Sequence, residues 1–399
     1  MFSHRGFLLL ACWSLIGAQF QPSLAAQKSG GVAGVTEHVV FDGLKGWEKD
    51  GLTYRLACGA LLIQAPNGDL LCTWLSGTDN EPSTDNCVLI ARSADKGTTW
   101  TEPDILIPAG EMAGAVTSLH TTTDGRIILF GAHWPSREQY TVWHFFRQES
   151  RDSGHTWSPP VPVVLHENHA FISCPIQLSN GEFLFPASFF EKRPQPFPGP
   201  ARKLAQAATE EEALAIPPSP GEQDGGKFST HLHGCSVFIA GNENAAPLTE
   251  YGRIGNRPLG LLEPTCIQLK DGRIVMLMRA EFGGYLWRSD SLDNGRTWST
   301  AWQTDIPNPS SLAHLIRLND GGIALLNNAT GGVIGSGSHR DPLSIWISRD
   351  EMQTWSLKAD ILHGGSLAYP HSILLGDRLV FVYDHNRRQV RFVEVSIPN

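Results

Sequence analysis

The sequence has 399 residues, of which 41% are hydrophobic and 18% are charged, and this balance is typical of a globular chain with a substantial core. Its 40 glycines and 26 prolines indicate many turns and few long helices. The formal net charge is −9 and no block of basic residues is present, which argues against a nucleic-acid partner.

The first 26 residues have the pattern of a secretory signal peptide. A short basic start precedes an apolar run, and small residues follow it. The run is too short to span a membrane, and no later stretch approaches the ~18 apolar residues that a spanning helix needs. We therefore expect a secreted or periplasmic protein whose mature part, 27–399, is a single domain. Lipoprotein anchoring at Cys12 is the less favoured alternative.

Five copies of a hairpin signal recur along the chain, each with Asn-Gly or Asp-Gly between apolar runs, and a sixth copy is weaker. Their glycines are Gly68, Gly125, Gly181, Gly272, Gly321 and Gly376. Consecutive copies are about 55 residues apart, except for one longer interval. That interval contains 190–227, rich in Pro, Gly, Ala and Glu, which predicts a flexible insertion. The period predicts an all-β fold, a six-bladed β-propeller of four-stranded antiparallel blades.

A second repeat, with the pattern Ser-x-Asp-x-Gly-x-Thr-Trp, occurs in phase with the hairpins. Its four copies are "SADKGTTW" at 93–100, "SRDSGHTW" at 150–157, "SLDNGRTW" at 291–298 and "SRDEMQTW" at 348–355. The Asp and Gly favour a turn, and we expect the Trp to pack between strands. The fourth copy has Met352 in place of Gly, for which we expect only a less favourable turn, since Gly serves there for its permissive φ.

The remaining motif-forming residues do not predict a metal site. Six cysteines follow the signal peptide, and an even number in a secreted chain permits disulfides, with buried free thiols as the alternative. No Cys-x-x-Cys pair indicates zinc. His231 and His233 share one face of a strand, but no acidic residue completes a metal pattern, so we expect them to contact sugar or to be structural.

The octamer is the Asp box, and through it the chain resembles the sialidase (neuraminidase) superfamily over nearly its whole mature length. The resemblance implies hydrolysis of terminal sialic acid from glycoconjugates by a retaining mechanism with a Tyr nucleophile, and it implies no cofactor. In that family the Asp box lies at the blade periphery. The function must therefore be argued from the site.

The chemistry explains the residue types that the family uses. An arginine binds the substrate carboxylate through two parallel hydrogen bonds. A carboxylate nucleophile would be repelled by the substrate's own charge, whereas Tyr, with a pKa near ~10, needs an adjacent base. A separate carboxylic acid protonates the leaving oxygen.

The order of motifs assigns these roles in this chain. The resemblance implies that Tyr369 is the nucleophile, Glu263 its base and Asp79 the acid, with Asp85 as an alternative acid. It also implies that the substrate carboxylate is bound by Arg55, Arg279 and Arg340.

Two departures from the family pattern bear on specificity. Leu56-Ala57 follows Arg55 where the family has Ile-Pro, and Pro370 follows Tyr369. Two other functions stay open: a propeller glycosidase for another acidic sugar, such as a uronic acid, and a non-catalytic glycan-binding propeller. The expected partner is in each case a glycan or glycoconjugate. Convergence of the three arginines and Tyr369 in one axial cavity distinguishes the enzymes from the binding protein.

Overall fold

The computed structural model describes residues 32, 34–81, 83–110, 112–134, 143–163, 165, 169–171, 173–192, 212, 215–217, 231–255, 260–281, 284–331 and 340–397. The predicted signal peptide, with Cys12, and most of the predicted insertion 190–227 lie outside these residues. Within the described part of the chain, no helix is both long enough and apolar enough to cross a membrane.

The chain begins with one long strand and a small hairpin, and then forms the first three of six successive antiparallel sheets. The opening strands are β1 (Val35–Asp42), β2 (Trp47–Lys49) and β3 (Leu52–Tyr54). Blade 1 contains β4 (Cys58–Gln64), β5 (Leu70–Ser76), β6 (Cys87–Ser93) and β7 (Asp104–Ile107). Blade 2 contains β8 (Ala113–Thr121), β9 (Ile127–Trp134), β10 (His144–Ser150) and β11 (Val161–Pro162). Blade 3 contains β12 (His169–Phe171), β13 (Ile176–Gln177), β14 (Phe183–Lys192), β15 (His231–Ala240) and β16 (Thr249–Ile254).

The other three sheets complete the ring. Blade 4 contains β17 (Leu261–Gln268), β18 (Ile274–Ala280), β19 (Tyr285–Ser291) and β20 (Trp302–Pro307). Blade 5 contains β21 (His314–Arg317), β22 (Ile323–Asn327), β23 (Leu343–Ser348) and β24 (Leu357–Leu362). Blade 6 contains β25 (Leu367–Leu375), β26 (Arg378–His385) and β27 (Gln389–Val395), and β1 is its outer strand. The predicted six-bladed β-propeller is confirmed.

The first strands of the blades form the inner wall of the ring. β4 contacts β8, β17 contacts β21, and β25 contacts both β21 and β4. The predicted hairpins join each inner strand to the next strand, and Gly68 and Gly272 have φ values of 93° and 88°, which favour glycine. The apolar core lies mainly between blades, because each of the six hydrophobic clusters contains residues of adjacent sheets.

The six cysteines after the signal peptide all have free thiols, and Cys174 is the one that is partly exposed. The alternative of disulfides is therefore not realised among them. Although the residue as a whole is partly exposed, its thiol is buried, and this burial raises the pKa of the Cys174 thiol to about 12, so the thiol stays protonated at neutral pH.

The Asp boxes form turns between the third and fourth strands. In the 291–298 copy, Thr297 donates its N–H to Asp293 at 2.8 Å, and the Trp298 indole donates to the Gly295 carbonyl at 2.9 Å. A Cβ added to Gly295 would lie 2.9 Å from Leu184 of the preceding blade. The box thus ties neighbouring blades together, at the end of the ring that carries the hairpins.

Met352 packs where the other Asp boxes have glycine. Its φ is 62°, a left-handed conformation that is unfavourable for methionine, yet its side chain is only 8% exposed. It belongs to the cluster between blades 4 and 5, with Leu269 and Trp346. The expectation of an effect limited to the turn is therefore wrong, because the side chain also contributes buried apolar surface.

We predict that Met352→Gly lowers the free energy of unfolding by about 1–3 kcal/mol, since the lost packing exceeds the relieved backbone strain. In the blade 1 copy of the Asp box, Lys96 lies one position before the glycine, and it has a φ of 62° and an exposed side chain. Lys96→Gly is the matched control and should leave stability unchanged or slightly raised. Urea unfolding of both variants tests this; equal or higher stability of Met352→Gly contradicts it.

Candidate active site

β-bulges near the start of two inner strands aim two side chains into the ring. The register between β17 and β18 shifts around Glu263, and that between β25 and β26 shifts around Tyr369. The two residues have φ values of 49° and 54°, and each is followed by a proline, Pro264 or Pro370. Proline fits a bulge because it has no N–H to donate to the ladder. Pro370, which departs from the family pattern, thus has the same position after a bulge residue as Pro264 has in blade 4.

Arg279, on β18, is the centre of a buried charged cluster. It donates to Glu263 at 2.5 Å, to the Tyr369 hydroxyl oxygen at 3.2 Å and to Glu281 at 2.9 Å. The Tyr369 hydroxyl in turn donates to Glu263 at 3.0 Å. Arg279, Glu263 and Glu281 are each less than 10% exposed. Two of the predicted catalytic residues, Tyr369 and Glu263, therefore meet one predicted arginine directly.

Tyr369 is strongly held in its protonated form. Burial and the adjacent Glu263 carboxylate raise the pKa of Tyr369 well above its usual value, against the opposite effects of Arg279 and Arg340. The phenol therefore needs a proton acceptor before its oxygen becomes nucleophilic, and Glu263 is within hydrogen-bond distance.

Arg340 reaches the same cluster from the segment before β23. Its guanidinium carbon lies 5.4 Å from the centre of the Tyr369 ring, and it donates to the Ser310 carbonyl at 3.1 Å. Its own carbonyl accepts from Leu367 N–H at 2.9 Å, which joins blade 5 to blade 6. The Nε atoms of Arg279 and Arg340 are buried and have no hydrogen-bond partner. Neither guanidinium is therefore fully satisfied by the hydrogen bonds within the protein.

Arg55 does not join the cluster. It precedes β4 by three positions, its side chain is exposed, and its guanidinium lies 3.5 Å from the Leu44 carbonyl. The bulge of β4 contains Gly59, with a φ of 63°, so the inner position of blade 1 carries no side chain. The structure brings together Arg279, Arg340 and Tyr369, but not Arg55. The full convergence that we expected to distinguish an enzyme from a glycan-binding propeller is therefore not met.

Asp79 also lies outside the cluster. Its side chain is 64% exposed and its carboxylate accepts from Arg388 at 2.6 Å. Asp85, the alternative, accepts from the N–H and hydroxyl of Thr78. Burial raises the pKa of Asp85, but hydrogen bonds from Ser83 and Thr78 outweigh this and lower it below its ordinary value. Asp85 is therefore poorly suited to donate a proton.

Glu81, two residues beyond Asp79, does lie beside the cluster. Its Oε1 is 3.5 Å from the Cys58 thiol and 2.7 Å from Arg387, and its side chain is 24% exposed. Tyr369 packs against the hydrophobic cluster that contains Cys58, so Glu81 and Tyr369 border the same group of residues. We therefore identify Glu81 as the carboxyl group of this loop that faces the site.

The sequence interpretation missed Glu81, Glu281 and Arg387. Glu281 follows Arg279 by two residues, a spacing that places both on one strand face and that was a usable signal. Arg387 lies in a turn at the far end of the chain from Glu81, and no local pattern indicated that the two would meet.

The described residues contain no group of three or more His, Cys, Asp or Glu side chains that is placed to hold a metal ion. An axial cavity of about 800 Å³ has His314 and His371 among its lining residues and extends to Gln64 at the hairpin end. Tyr369 is not among its lining residues. Tyr369 lies near the start of β25, whereas the hairpin follows the end of that strand, so the buried charged cluster lies at the opposite end of the ring.

Asp384, paired with Ala368 in the ladder, is a buried carboxyl beneath this site. Burial raises its pKa to about 7, although Gly59 N–H donates to it and Arg387 is near. The folded protein thus favours the protonated form. Its contribution to stability is full below the unfolded pKa of ~3.9 and is lost as the pH rises through ~7.

We predict that Asp384→Asn removes this loss, because asparagine cannot ionise. Between about pH 4 and pH 8, the wild type should lose on the order of 3 kcal/mol of unfolding free energy relative to the variant. Urea unfolding at a series of pH values measures the difference. Parallel pH profiles for the two proteins would contradict the assignment of a titrating Asp384.

Comparison with known families and structures agrees with the fold described above. Residues 68–382 match the family described as the BNR repeat-like domain. No curated protein sequence matched the chain.

Three solved structures illustrate the similarity of fold. A protein of unknown function from Dyadobacter fermentans has a TM-score of 0.68 and 16% identity, over 92% of this chain and 100% of that one. Trypanosoma rangeli sialidase has a TM-score of 0.64 and 12% identity, over 91% of this chain and 59% of that one. The NanB sialidase from Streptococcus pneumoniae has a TM-score of 0.63 and 12% identity, over 90% of this chain and 70% of that one. At these identities the similarity establishes the fold alone.

Proposed function

Because the chain belongs to the BNR repeat-like domain family and has the propeller fold of sialidases, we propose that it is a retaining exo-glycosidase of the sialidase type. The proposed substrate is a glycoconjugate with a terminal acidic sugar, sialic acid in the first instance. The proposed site of action is outside the cytoplasm, on the basis of the signal-like sequence at 1–26.

One observation carries this proposal: the Tyr369 hydroxyl donates to Glu263 at 3.0 Å while Arg279 donates to both groups. A tyrosine between a carboxylate and an arginine is an activated nucleophile when the carboxylate accepts its proton. Arg279 stabilises the negative charge while the proton moves from Tyr369 to Glu263. A tyrosine that served only for packing has no need of this arrangement.

In the first step, the Tyr369 oxygen attacks the anomeric carbon and its proton passes to Glu263. The bond to the leaving oxygen breaks, and that oxygen takes a proton from Glu81. In the second step, Glu81 accepts a proton from water, whose oxygen attacks the same carbon. The tyrosine oxygen then leaves and regains its proton from Glu263. Two displacements at one carbon give net retention.

The donors for the substrate carboxylate are Arg279 and Arg340. The support for this assignment is that both guanidinium groups lie against Tyr369, Arg279 at 3.2 Å from its hydroxyl and Arg340 at 5.4 Å from its ring centre. This part of the proposal does not include Arg55, whose side chain is exposed beside Leu44.

A second candidate substrate is another acidic sugar, such as a uronic acid. The observation that favours it is the position of Arg55, since the site has a different set of arginines from the one that the sialidase resemblance implies. A panel of aryl sialosides and aryl uronosides separates the two: turnover of uronosides alone would replace the first substrate with the second.

We predict that Tyr369→Phe lowers kcat on the preferred substrate by about a thousandfold or more, because the variant has no nucleophilic oxygen. Tyr251→Phe, on the outer strand β16, is the matched control and should retain full activity. The rate of aryl glycoside hydrolysis measures both. If Tyr369→Phe is as active as the wild type, the mechanism is wrong.

We predict that Glu81→Gln slows hydrolysis by about 10²–10⁴-fold for a sugar leaving group, and much less for a nitrophenol, which departs without protonation. Asp79→Asn should have little effect on either substrate. The ratio of kcat/KM for the two leaving groups is the measurement. If Asp79→Asn lowers kcat/KM more than Glu81→Gln does, then Asp79 and not Glu81 is the acid.

A further inference from the structure

A hydrogen bond between two blades holds the backbone of Glu263. The register of β17 with β18 shifts between Leu262 and Thr265, and Glu263 is the first of the two residues in this bulge. Its N–H donates at 2.7 Å to the hydroxyl oxygen of Ser188, which lies on β14 of blade 3. The proposed proton acceptor of blade 4 is thus attached to the preceding blade through its main chain.

The conformation of Glu263 depends on such support. Its φ of 49° is in the left-handed region, which is unfavourable for a residue with a side chain and persists only where the surroundings hold it. Glu263 is 7% exposed and Ser188 is 1% exposed, so water does not readily replace the hydroxyl as acceptor. Loss of the hydroxyl would leave a buried N–H without a partner, which is costly and favours a different backbone conformation.

Blade 1 has the same arrangement at the equivalent position. Gly59 is the first residue of the bulge in β4, and its N–H donates at 2.8 Å to the Asp384 carboxyl group on β26. In both cases the acceptor belongs to the second strand of the blade that precedes in the ring. The acceptor for Glu263 is a neutral hydroxyl, which holds the bulge without a second negative charge beside the Glu263 carboxylate.

The side chain of Glu263 is held at its other end. Its carboxylate accepts from Arg279 at 2.5 Å and from the Tyr369 hydroxyl at 3.0 Å. Proton transfer requires the donor and acceptor oxygens to be at hydrogen-bond distance. Because the backbone conformation sets the direction in which the side chain leaves the strand, a change in the bulge moves the carboxylate relative to Tyr369.

We propose that Ser188 is a positioning residue of the Tyr369 site: its hydrogen bond with Glu263 N–H fixes the bulge so that the carboxylate reaches the tyrosine hydroxyl. This inference rests on the proposed function, because the step it serves is the passage of the Tyr369 proton to Glu263. The site then depends on blade 3 as well as on blades 4 and 6, which contain Glu263 and Tyr369.

Three substitutions of Ser188 and one matched control test this role. Ser188→Ala removes the acceptor, Ser188→Cys replaces it with a weaker one of similar size, and Ser188→Thr keeps it. The control is Ser236→Ala, on the neighbouring strand β15. Ser236 is also buried, its hydroxyl has no hydrogen-bond partner, and it is in register with Ala187, so it lies on the opposite face of the sheet from Ser188.

The first measurement is the rate of aryl glycoside hydrolysis. We expect Ser188→Ala and Ser188→Cys to lower kcat by about 10–100-fold with little change in KM, since Glu263 contacts Tyr369 rather than the sugar in the proposed reaction. Ser188→Thr should restore most of the wild-type kcat, and Ser236→Ala should leave it unchanged. Urea unfolding verifies that each variant is folded under the assay conditions.

A double-mutant comparison distinguishes positioning from a general effect on the fold. If Ser188 acts through the Glu263 carboxylate, Ser188→Ala should lower kcat much less in a Glu263→Gln background than in the wild type. An equal fold-loss in the two backgrounds overturns the positioning role.

Crystal structures of the variants test the inference without any need for turnover. In Ser188→Ala we expect the Glu263 carboxylate to lie more than ~3.5 Å from the Tyr369 hydroxyl, against 3.0 Å in the wild type. In Ser236→Ala the hydrogen bond should remain.

The outcomes separate this inference from the proposed function. An unchanged distance in both Ser188→Ala and Ser188→Cys overturns the positioning role and leaves the glycosidase proposal standing. A displaced carboxylate together with wild-type kcat also overturns it. If the wild type hydrolyses none of the glycosides, the proposed function is wrong, whereas the distance still decides whether Ser188 holds Glu263 in place.

Discussion

The antiparallel pairing of β1 with β27 closes the ring of blades, and the groups at the axis depend on this closure. The pairing joins Val35 to Val395, so the first and last strands lie in one sheet. It holds β25 beside β4 and thereby brings Tyr369 of blade 6 near Cys58 of blade 1. The site is shared between blades that are far apart in the sequence, because a closed ring makes the two ends of the chain neighbours.

Buried charge is the second constraint on this site. Arg279, Glu263 and Glu281 are nearly inaccessible to water, and buried ions are tolerated only when they are paired and hydrogen-bonded. The pairing also orients the Tyr369 hydroxyl, which donates to Glu263 and accepts from Arg279. The interactions that compensate the buried charges thus define the path of the proton that the proposed reaction moves.

The bulges connect this electrostatic arrangement to the fold. A regular inner strand alternates its side chains between the two faces of its sheet. At Glu263 and Tyr369 the left-handed backbone interrupts the ladder and redirects the side chain. In blade 1 the bulge contains Gly59 instead, and the ion pair of Glu81 and Arg387 lies beside Cys58 of the same strand.

The sequence by itself determined the architecture, because the hairpin glycines and the Asp boxes are local signals that repeat with each blade. It also located Glu263, Arg279 and Tyr369, whose places relative to the hairpins are regular. Only the tertiary structure decided that Arg55 and Asp79 lie outside the cluster and that Glu81 and Arg387 border it. The reason is physical: the direction of a loop side chain depends on the partners it meets across the closed ring, and those partners are distant in the sequence.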